Sequence, residues 1–185
     1  MKNLNEVKIN NKIPRTMTIE GLKALGVLAS MVPKNGIIVE IGPLYGSSTW
    51  VLSKNADPSV AIYSIDTWED MPWISKRLPD APKFSIDSFK KYISDCDNVI
   101  PIKGFSPDIV KDSWDRGIDM YFDDASHGNP YFIDNLNFFD NFINESAIIC
   151  GDDYAAGWPD IPNEVFNYSK IYGQYPSVLG RLWSV

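Results

Sequence analysis

The chain has 185 residues, of which 44% are hydrophobic and 22% are charged, so it is long enough for one globular domain with a sizeable core. Its net charge is −7 and no stretch is rich in lysine or arginine, which argues against nucleic acid as the main partner. No run approaches the roughly 18 apolar residues of a membrane span, and the start of the chain lacks the apolar core of a signal peptide. With only two cysteines, these features predict a cytoplasmic protein that acts on a small molecule or a cation, with no membrane partner.

Apolar runs alternate with helical patterns in the order typical of a parallel sheet covered by helices. The predicted strands are short, and they cover residues 37–41, 60–65, 99–102, 118–122 and 147–150. The predicted helices have apolar residues at helical spacing, and they cover residues 19–31, 47–54, 84–94, 107–114, 131–142 and 161–172. Residues 177–185 alternate like an edge strand, and the polar residues 1–16 are expected to be loosely held. The sequence therefore predicts an α/β fold with a doubly wound, mostly parallel sheet and a C-terminal edge strand.

Residues 67–85 break this pattern, because they contain three prolines and two tryptophans without a regular period. The stretch is predicted to be a long loop, and long loops in compact domains are often functional. Trp68, Trp73 and the more distant Trp158 are expected either to wall a pocket for a flat or apolar ligand, or to pack in the core or a lid.

The stretch from residue 37 to residue 52 combines an apolar strand, a glycine turn and a helix start. Glu40 precedes the turn, and Gly42 and Gly46 lie on either side of it. Glycines let the backbone approach a ligand, and free N–H groups at a helix start bind negative groups. The spacing differs from the dinucleotide-binding fingerprint, so alone it fits a ligand loop and a plain turn equally. A carboxylate at the position of Glu40 has to be paired, hydrogen-bonded or facing a ligand.

Polar residues collect at the carboxyl ends of the predicted strands, where parallel α/β sheets bind their ligands. They are Glu40, Asp66, Ser106, Asp124, His127, Asp152 and Asp153. Asp66 lies 24 residues after Gly42, where nucleotide-binding units carry an acid that binds ribose hydroxyls. The alternative is that Asp66 caps the following segment.

Asp124, Asp152 and Asp153 follow the fourth and fifth predicted strands, which are neighbours in the usual sheet order. Three carboxylates suit Mg²⁺ or Ca²⁺ rather than zinc, although such residues also cap helices or face water. Asp123 is predicted to face solvent or to cap, because strand alternation turns it away from Asp124. His127, the only histidine, is a candidate base, with a surface or structural role as the alternative.

Five short motifs carry a family resemblance, and they occur in the order VEIGPLYGSST, IYSIDTWED, IKGFSPDIV, FDDASH and IICGDDY. Over residues 37–172 the chain resembles the class I S-adenosylmethionine-dependent methyltransferases, closest to the catechol-type and macrocin-type small-molecule O-methyltransferases. The resemblance implies a single methyltransferase domain over residues 1–185. Within it, residues 1–35 would form an N-terminal tail and helix, 36–155 the cofactor-binding core, and 156–185 a C-terminal helix and edge strand.

The resemblance implies that S-adenosylmethionine binds at the glycine turn and the neighbouring strand ends. The matching positions are Glu40, Gly42, Gly46, Ser48, Asp66, Ser106 and Asp124. The two glycines would approach the methionine part of the cofactor, with Glu40 near its amino group and Ser48 near its carboxylate. Asp66 would hold the ribose hydroxyls and Ser106 would lie beside the adenine.

The resemblance also implies Mg²⁺ or another divalent cation bound by Asp124, Asp152 and Asp153, with His127 accepting a proton and Asp124 in the catalytic set. The expected reaction is methyl transfer to a hydroxyl of a small-molecule acceptor. Two alternatives stay open: a protein of this fold that binds the cofactor or a partner without turnover, and a nicotinamide-dependent oxidoreductase. Since little of the chain precedes the core, the pocket is expected to be open or to be completed by a partner subunit in a homo-oligomer.

Overall fold

Seven strands form one continuous sheet in the computed structural model, which describes residues 1–155 and 157–185. In chain order the strands are β1 (Ile37–Ile41), β2 (Ala61–Asp66), β3 (Val99–Lys103), β4 (Ile118–Asp123), β5 (Ile143–Gly151), β6 (Ser177–Leu179) and β7 (Leu182–Ser184). Their order across the sheet is β3-β2-β1-β4-β5-β7-β6, in which the first five strands are parallel and the last two pair antiparallel. The predicted mostly parallel sheet is confirmed.

Six helices pack around this sheet within the described part of the chain. They are α1 (Ile19–Ala29), α2 (Ser47–Asn55), α3 (Pro72–Arg77), α4 (Ile86–Tyr92), α5 (Tyr131–Asp140) and α6 (Asp160–Ile171). Leu25 of α1 and Leu52 of α2 belong to one buried cluster with Ile38 of β1. Phe132 of α5 and its neighbours belong to a second buried cluster with Val39, the next residue of β1. Because successive side chains of a strand point to opposite faces, helices cover both faces, as the sequence predicts.

Two elements differ from the predictions. The stretch predicted as a loop contains α3, a helix of six residues in which only Ile74 is buried, so it leaves almost no periodic signal. Residues 107–114, predicted as a helix, are not helical, and residues 107–113 form turns instead. Val110 and Trp114 are both buried and four residues apart, which imitates a helical period although the chain only turns there.

Both ends of the chain are more tightly integrated than the sequence indicates. The N-terminal segment is not loosely held, because Ile13 is buried at 1% exposure and the side chain of Asn55 hydrogen-bonds the backbone N–H and C=O of Lys8. The predicted C-terminal edge strand is confirmed, and it belongs to a hairpin of β6 and β7 in which β7 lies between β5 and β6. None of the described helices is long and apolar enough to cross a membrane.

Candidate functional site

A cavity of about 870 Å³ opens at the edge of the sheet where the parallel strands end. Ligand-binding pockets typically have volumes of roughly 300–1,000 Å³. Of the ten residues predicted to bind cofactor or metal or to take part in catalysis, six contribute to its wall: Gly42, Asp66, Ser106, Asp124, His127 and Asp153. The other four predicted residues are buried and do not line this cavity: Glu40, Gly46, Ser48 and Asp152.

Glu40 is fully buried, and its carboxylate accepts hydrogen bonds from three hydroxyl groups. Ser48 donates to Oε1 at 2.6 Å, and Thr49 and Ser64 each donate to Oε2 at 2.6 Å. Burial raises the pKa of Glu40, and the three hydrogen bonds partly offset that effect. Of the environments that the sequence allows for Glu40, the structure shows the hydrogen-bonded one, which ties β1, α2 and β2 together.

The turn after β1 packs directly against the loop after β4. Gly42 has a φ of +79°, and a Cβ at this position would lie 2.4 Å from the backbone oxygen of Asp124, so the position requires glycine. Ser47 opens α2, and its hydroxyl is buried with no hydrogen-bond partner among the described residues. Ser47 lines a small recess together with Gly42, Ser48 and Asp124. An unpaired hydroxyl beside the free N–H groups of a helix start is suited to an anionic group.

Asp66 and Ser106 lie on the cavity wall at the ends of β2 and β3. The backbone N–H of Trp68 donates to Oδ1 of Asp66 at 2.9 Å. Burial raises the pKa of Asp66, and N–H groups of the adjoining loops oppose this effect. Ser106 donates its hydroxyl proton to Oδ1 of Asn135 at 2.7 Å, and Asn135 also lines the cavity. Sequence reasoning missed Asn135, because a single amide within a helix carries no signal of its burial.

Asp124, Asp152 and Asp153 converge at the ends of β4 and β5. One carboxylate oxygen from each lies within 4.8 Å of the others. Arg181, from the turn between β6 and β7, contacts two of these acids: Nη2 lies 2.7 Å from Oδ2 of Asp152, and Nη1 lies 3.1 Å from Oδ1 of Asp153. His127 Nδ1 lies 2.9 Å from the second oxygen of Asp153, Oδ2. The acids therefore have two basic partners, of which only His127 was predicted.

The environments of the three acids drive their pKa values apart. Burial raises the pKa of Asp124 well above its ordinary value, and the neighbouring Asp152 and Asp153 raise it further. Burial also raises the pKa of Asp152, against the opposing charge of Arg181. At Asp153 burial acts in the same direction, but the hydrogen bond from His127 and the charges of His127 and Arg181 outweigh it and lower the pKa. Asp153 is thus the acid that stays ionised beside the imidazole.

Asp123 does not face solvent, which corrects one of the two roles predicted for it. It is buried at 4% exposure; Tyr121 donates its phenol proton to Oδ2 at 2.5 Å, and the backbone N–H of Ala125 donates to Oδ1 at 3.2 Å. Burial raises the pKa of Asp123 to about 6, against the opposing hydrogen bonds from these two donors. Strand alternation does turn the side chain of Asp123 away from that of Asp124, as predicted. The side chain then lies in the buried core and not at the surface, which the sequence pattern does not indicate.

Replacing Asp123 by asparagine is expected to flatten the pH dependence of stability. A carboxyl whose pKa rises on folding binds its proton more tightly in the folded state, so the free energy of unfolding falls as pH rises from about 4 to about 6. A shift of about two pKa units corresponds to about 3 kcal/mol. Urea unfolding between pH 4 and pH 7 would measure this change in the free energy of unfolding. The matched control is Asp112→Asn, which replaces an exposed aspartate. A variant profile parallel to that of the parent would contradict the prediction.

The three tryptophans singled out in the sequence divide between the two roles. Trp68 packs in the core, at 3% exposure, and its indole N–H donates to the backbone oxygen of Leu44 at 3.2 Å. Trp73 and Trp158 are 46% and 43% exposed, and both line the cavity. The ring of Trp158 lies against that of His127, with their centroids 4.4 Å apart. Trp73 belongs to α3, so this helix forms part of the pocket wall.

A family described as a methyltransferase domain matches residues 39–154, which is more than half of the chain. No curated protein sequence matches the chain.

Solved structures with the same fold cover most of the chain at low sequence identity. The O-methyltransferase TomG from Streptomyces achromogenes, solved with S-adenosylmethionine, is 17% identical; the match covers 91% of this chain and 79% of TomG, with a TM-score of 0.64. The O-methyltransferase NovP is 15% identical, over 90% of this chain and 78% of its own, with a TM-score of 0.69. The precorrin-6y C5,15-methyltransferase from Geobacter metallireducens GS-15 is 16% identical, over 95% of this chain and 80% of its own, with a TM-score of 0.62.

Proposed function

Because the chain belongs to the class I S-adenosylmethionine-dependent methyltransferases, we propose that it transfers a methyl group to a hydroxyl of a small molecule. One observation carries the choice of a hydroxyl: His127 and Asp153 lie 2.9 Å apart on the wall of the cavity. A hydroxyl has to lose its proton to become a good nucleophile, and imidazole is the side chain best suited to accept it near neutral pH. The fold alone does not determine which atom of the acceptor is methylated, since similar structures include O-methyltransferases and a C-methyltransferase.

The residues at the start of α2 fit the methionine part of S-adenosylmethionine. The unpaired hydroxyl of Ser47 is free to donate to a carboxylate, whereas the hydroxyl proton of Ser48 is used by Glu40. Within the proposal, Ser47 and the backbone N–H groups of the helix start therefore replace Ser48 as the partners of the carboxylate. Gly42 lines the cavity at this turn, so its backbone can contact the cofactor.

Three further residues are proposed to hold the nucleoside part of the cofactor. Asp66 lines the cavity at the end of β2, where its carboxylate can accept hydrogen bonds from both ribose hydroxyls. Ser106 and Asn135 form a hydrogen-bonded pair on the same wall, and the amide of Asn135 keeps donors that an adenine nitrogen can accept.

The chain's part in the transfer is proposed to be proton removal and orientation. Bound S-adenosylmethionine supplies the methyl group as a sulfonium, which leaves as a neutral thioether. Asp153 accepts a hydrogen bond from Nδ1–H of His127, so Nε2 of the imidazole is left as the basic nitrogen. His127 takes the hydroxyl proton, and the acceptor oxygen forms its bond to the methyl carbon as the carbon–sulfur bond breaks. Trp158 packs on the imidazole ring and limits its rotation.

The divalent cation implied by the family resemblance would compete with an ion pair for the same acids. The three acids offer a suitable set of ligand atoms, within 4.8 Å of one another. Two of them, however, already bind the guanidinium of Arg181 at 2.7 and 3.1 Å. The acids as arranged do not offer an open metal site, so Mg²⁺ stays a prediction and no step of the proposed transfer depends on it.

Calorimetry with S-adenosylmethionine tests the proposed cofactor site through Asp66. We expect Asp66→Ala to weaken binding at least about tenfold, or about 1.4 kcal/mol, because a charge-assisted hydrogen bond to the ribose is lost. The matched control is Asp112→Ala, which removes the same group from an exposed position and should leave the affinity unchanged. Equal affinities of Asp66→Ala and the parent would remove Asp66 from the site.

A further inference from the structure

Hydrogen bonds to backbone carbonyls hold the turn that carries Arg181 against the segment that contains Asp152 and Asp153. The N–H of Tyr154 donates to the carbonyl of Arg181 at 2.9 Å, and the indole N–H of Trp183 donates to the carbonyl of Asp152 at 3.1 Å. The guanidinium itself also donates to the carbonyl of Thr16 at 3.3 Å. Its side chain is 29% exposed. Arg181 is therefore held over the acids rather than extended into solvent.

The guanidinium binds two of the three acids that a divalent cation would need. Each of its two Nη atoms contacts a different acid, Asp152 or Asp153, and the remaining oxygen of Asp153 faces His127. A cation bound to the same acids would lie close to the guanidinium in a partly buried site, where like charges repel strongly. Moving Arg181 aside would cost its two ion pairs with Asp152 and Asp153.

We propose that Arg181 takes the place of a divalent cation, so that the acids are balanced by a guanidinium and the site works without added metal. The statement about methyl transfer rests on the proposed function, whereas the statement about metal binding does not. Arg181 is a positioning residue in this arrangement, because it orients Asp153, and Asp153 in turn orients His127. The planar fork of arginine suits this task, since it binds two carboxylates at once in a fixed geometry.

Calorimetric titration of metal-free protein with Mg²⁺ and with Mn²⁺ tests the proposal. We expect weak binding by the wild type and binding by Arg181→Gln that is at least about tenfold tighter, because the competing cation is gone. The charge-matched control is Arg116→Gln, which removes an exposed arginine just before β4, at the opposite edge of the sheet. This control should bind the metals as weakly as the wild type, which separates local competition from a change in net charge.

Two results would overturn the proposal: wild type that binds Mg²⁺ as tightly as Arg181→Gln, or methyl transfer by metal-free wild type that begins only when Mg²⁺ is added. If Arg181→Gln does not fold, Arg181→Met takes its place, since methionine fills much of the same space without a charge that competes with the metal. It should bind Mg²⁺ more tightly than the wild type, and binding no tighter would also overturn the proposal. Calorimetry with S-adenosylmethionine on the same proteins keeps the two proposals apart, because loss of cofactor binding overturns the proposed function and leaves the metal titrations valid.

Discussion

His127→Gln is expected to lower the rate of methyl transfer by about 10²–10⁴-fold while leaving the affinity for S-adenosylmethionine unchanged. Glutamine can still donate to Asp153 from its amide, but it cannot accept a proton from the acceptor. The rate would be measured as S-adenosylhomocysteine released from S-adenosylmethionine in the presence of a panel of small phenols and alcohols. Calorimetry on the same variant provides the internal control, because an unfolded or distorted site would lose cofactor affinity as well.

The same experiment separates an enzyme from a protein that only binds. Unchanged turnover in His127→Gln would place the base on another residue. Cofactor binding by the wild type without turnover on any acceptor in the panel would favour the binding role that the sequence left open. Addition of imidazole to His127→Ala offers an independent check, since a small base that fits beside Trp158 should restore part of the lost rate.

Gly42→Ala is expected to destabilise the fold by about 3 kcal/mol or more, and so to lower Tm by about 6–12 °C. An alanine there must adopt a φ of +79°, and its Cβ would meet the backbone oxygen of Asp124 at 2.4 Å and Cα of Ala125 at 2.7 Å. Both neighbours are main-chain atoms that cannot rotate away, so the loops after β1 and β4 have to separate. Thermal unfolding measures the effect, and calorimetry should show weaker cofactor binding at the displaced turn.

The control for this substitution is Gly157→Ala, because a Cβ at Gly157 would have no atom of the described residues within 4 Å. It should change Tm by less than about 2 °C. If both variants melted at the temperature of the parent, the close approach of the two loops at Gly42 would be contradicted.

The sequence predicted those parts of the fold that depend on local patterns. The parallel strands and the edge that gathers Asp66, Asp124 and His127 follow from short apolar runs that end in polar residues. The short helix α3 was not predicted, because a single buried residue, Ile74, cannot define a helical period. The turns around Val110 were mistaken for a helix because two buried side chains happened to lie at helical spacing.

Arg181 could not have been placed from the sequence. It enters the site only because β7 inserts antiparallel beside β5, and such a pairing between distant segments leaves no local signature. Its neighbour Trp183, fully buried, appears in the sequence as one apolar residue of an edge strand. The prediction of a magnesium site did not include this ion pair for the same reason, because the acids are recognisable at the ends of their strands and their partner is not.

The three hydroxyls around Glu40 fix the direction in which hydrogen bonds can run at this corner of the molecule. All three protons are donated to one carboxylate, so Ser48, which lines the small recess beside Ser47, presents only the lone pairs of its hydroxyl oxygen to a ligand. An ammonium group can donate a hydrogen bond to such an oxygen, whereas an anion has to bind the backbone N–H groups instead. In Glu40→Gln the side-chain amide would donate to one of these hydroxyls, and that hydroxyl would then have to donate its own proton elsewhere. A substitution in the core would thereby change whether a hydroxyl at this corner favours a cationic or an anionic group.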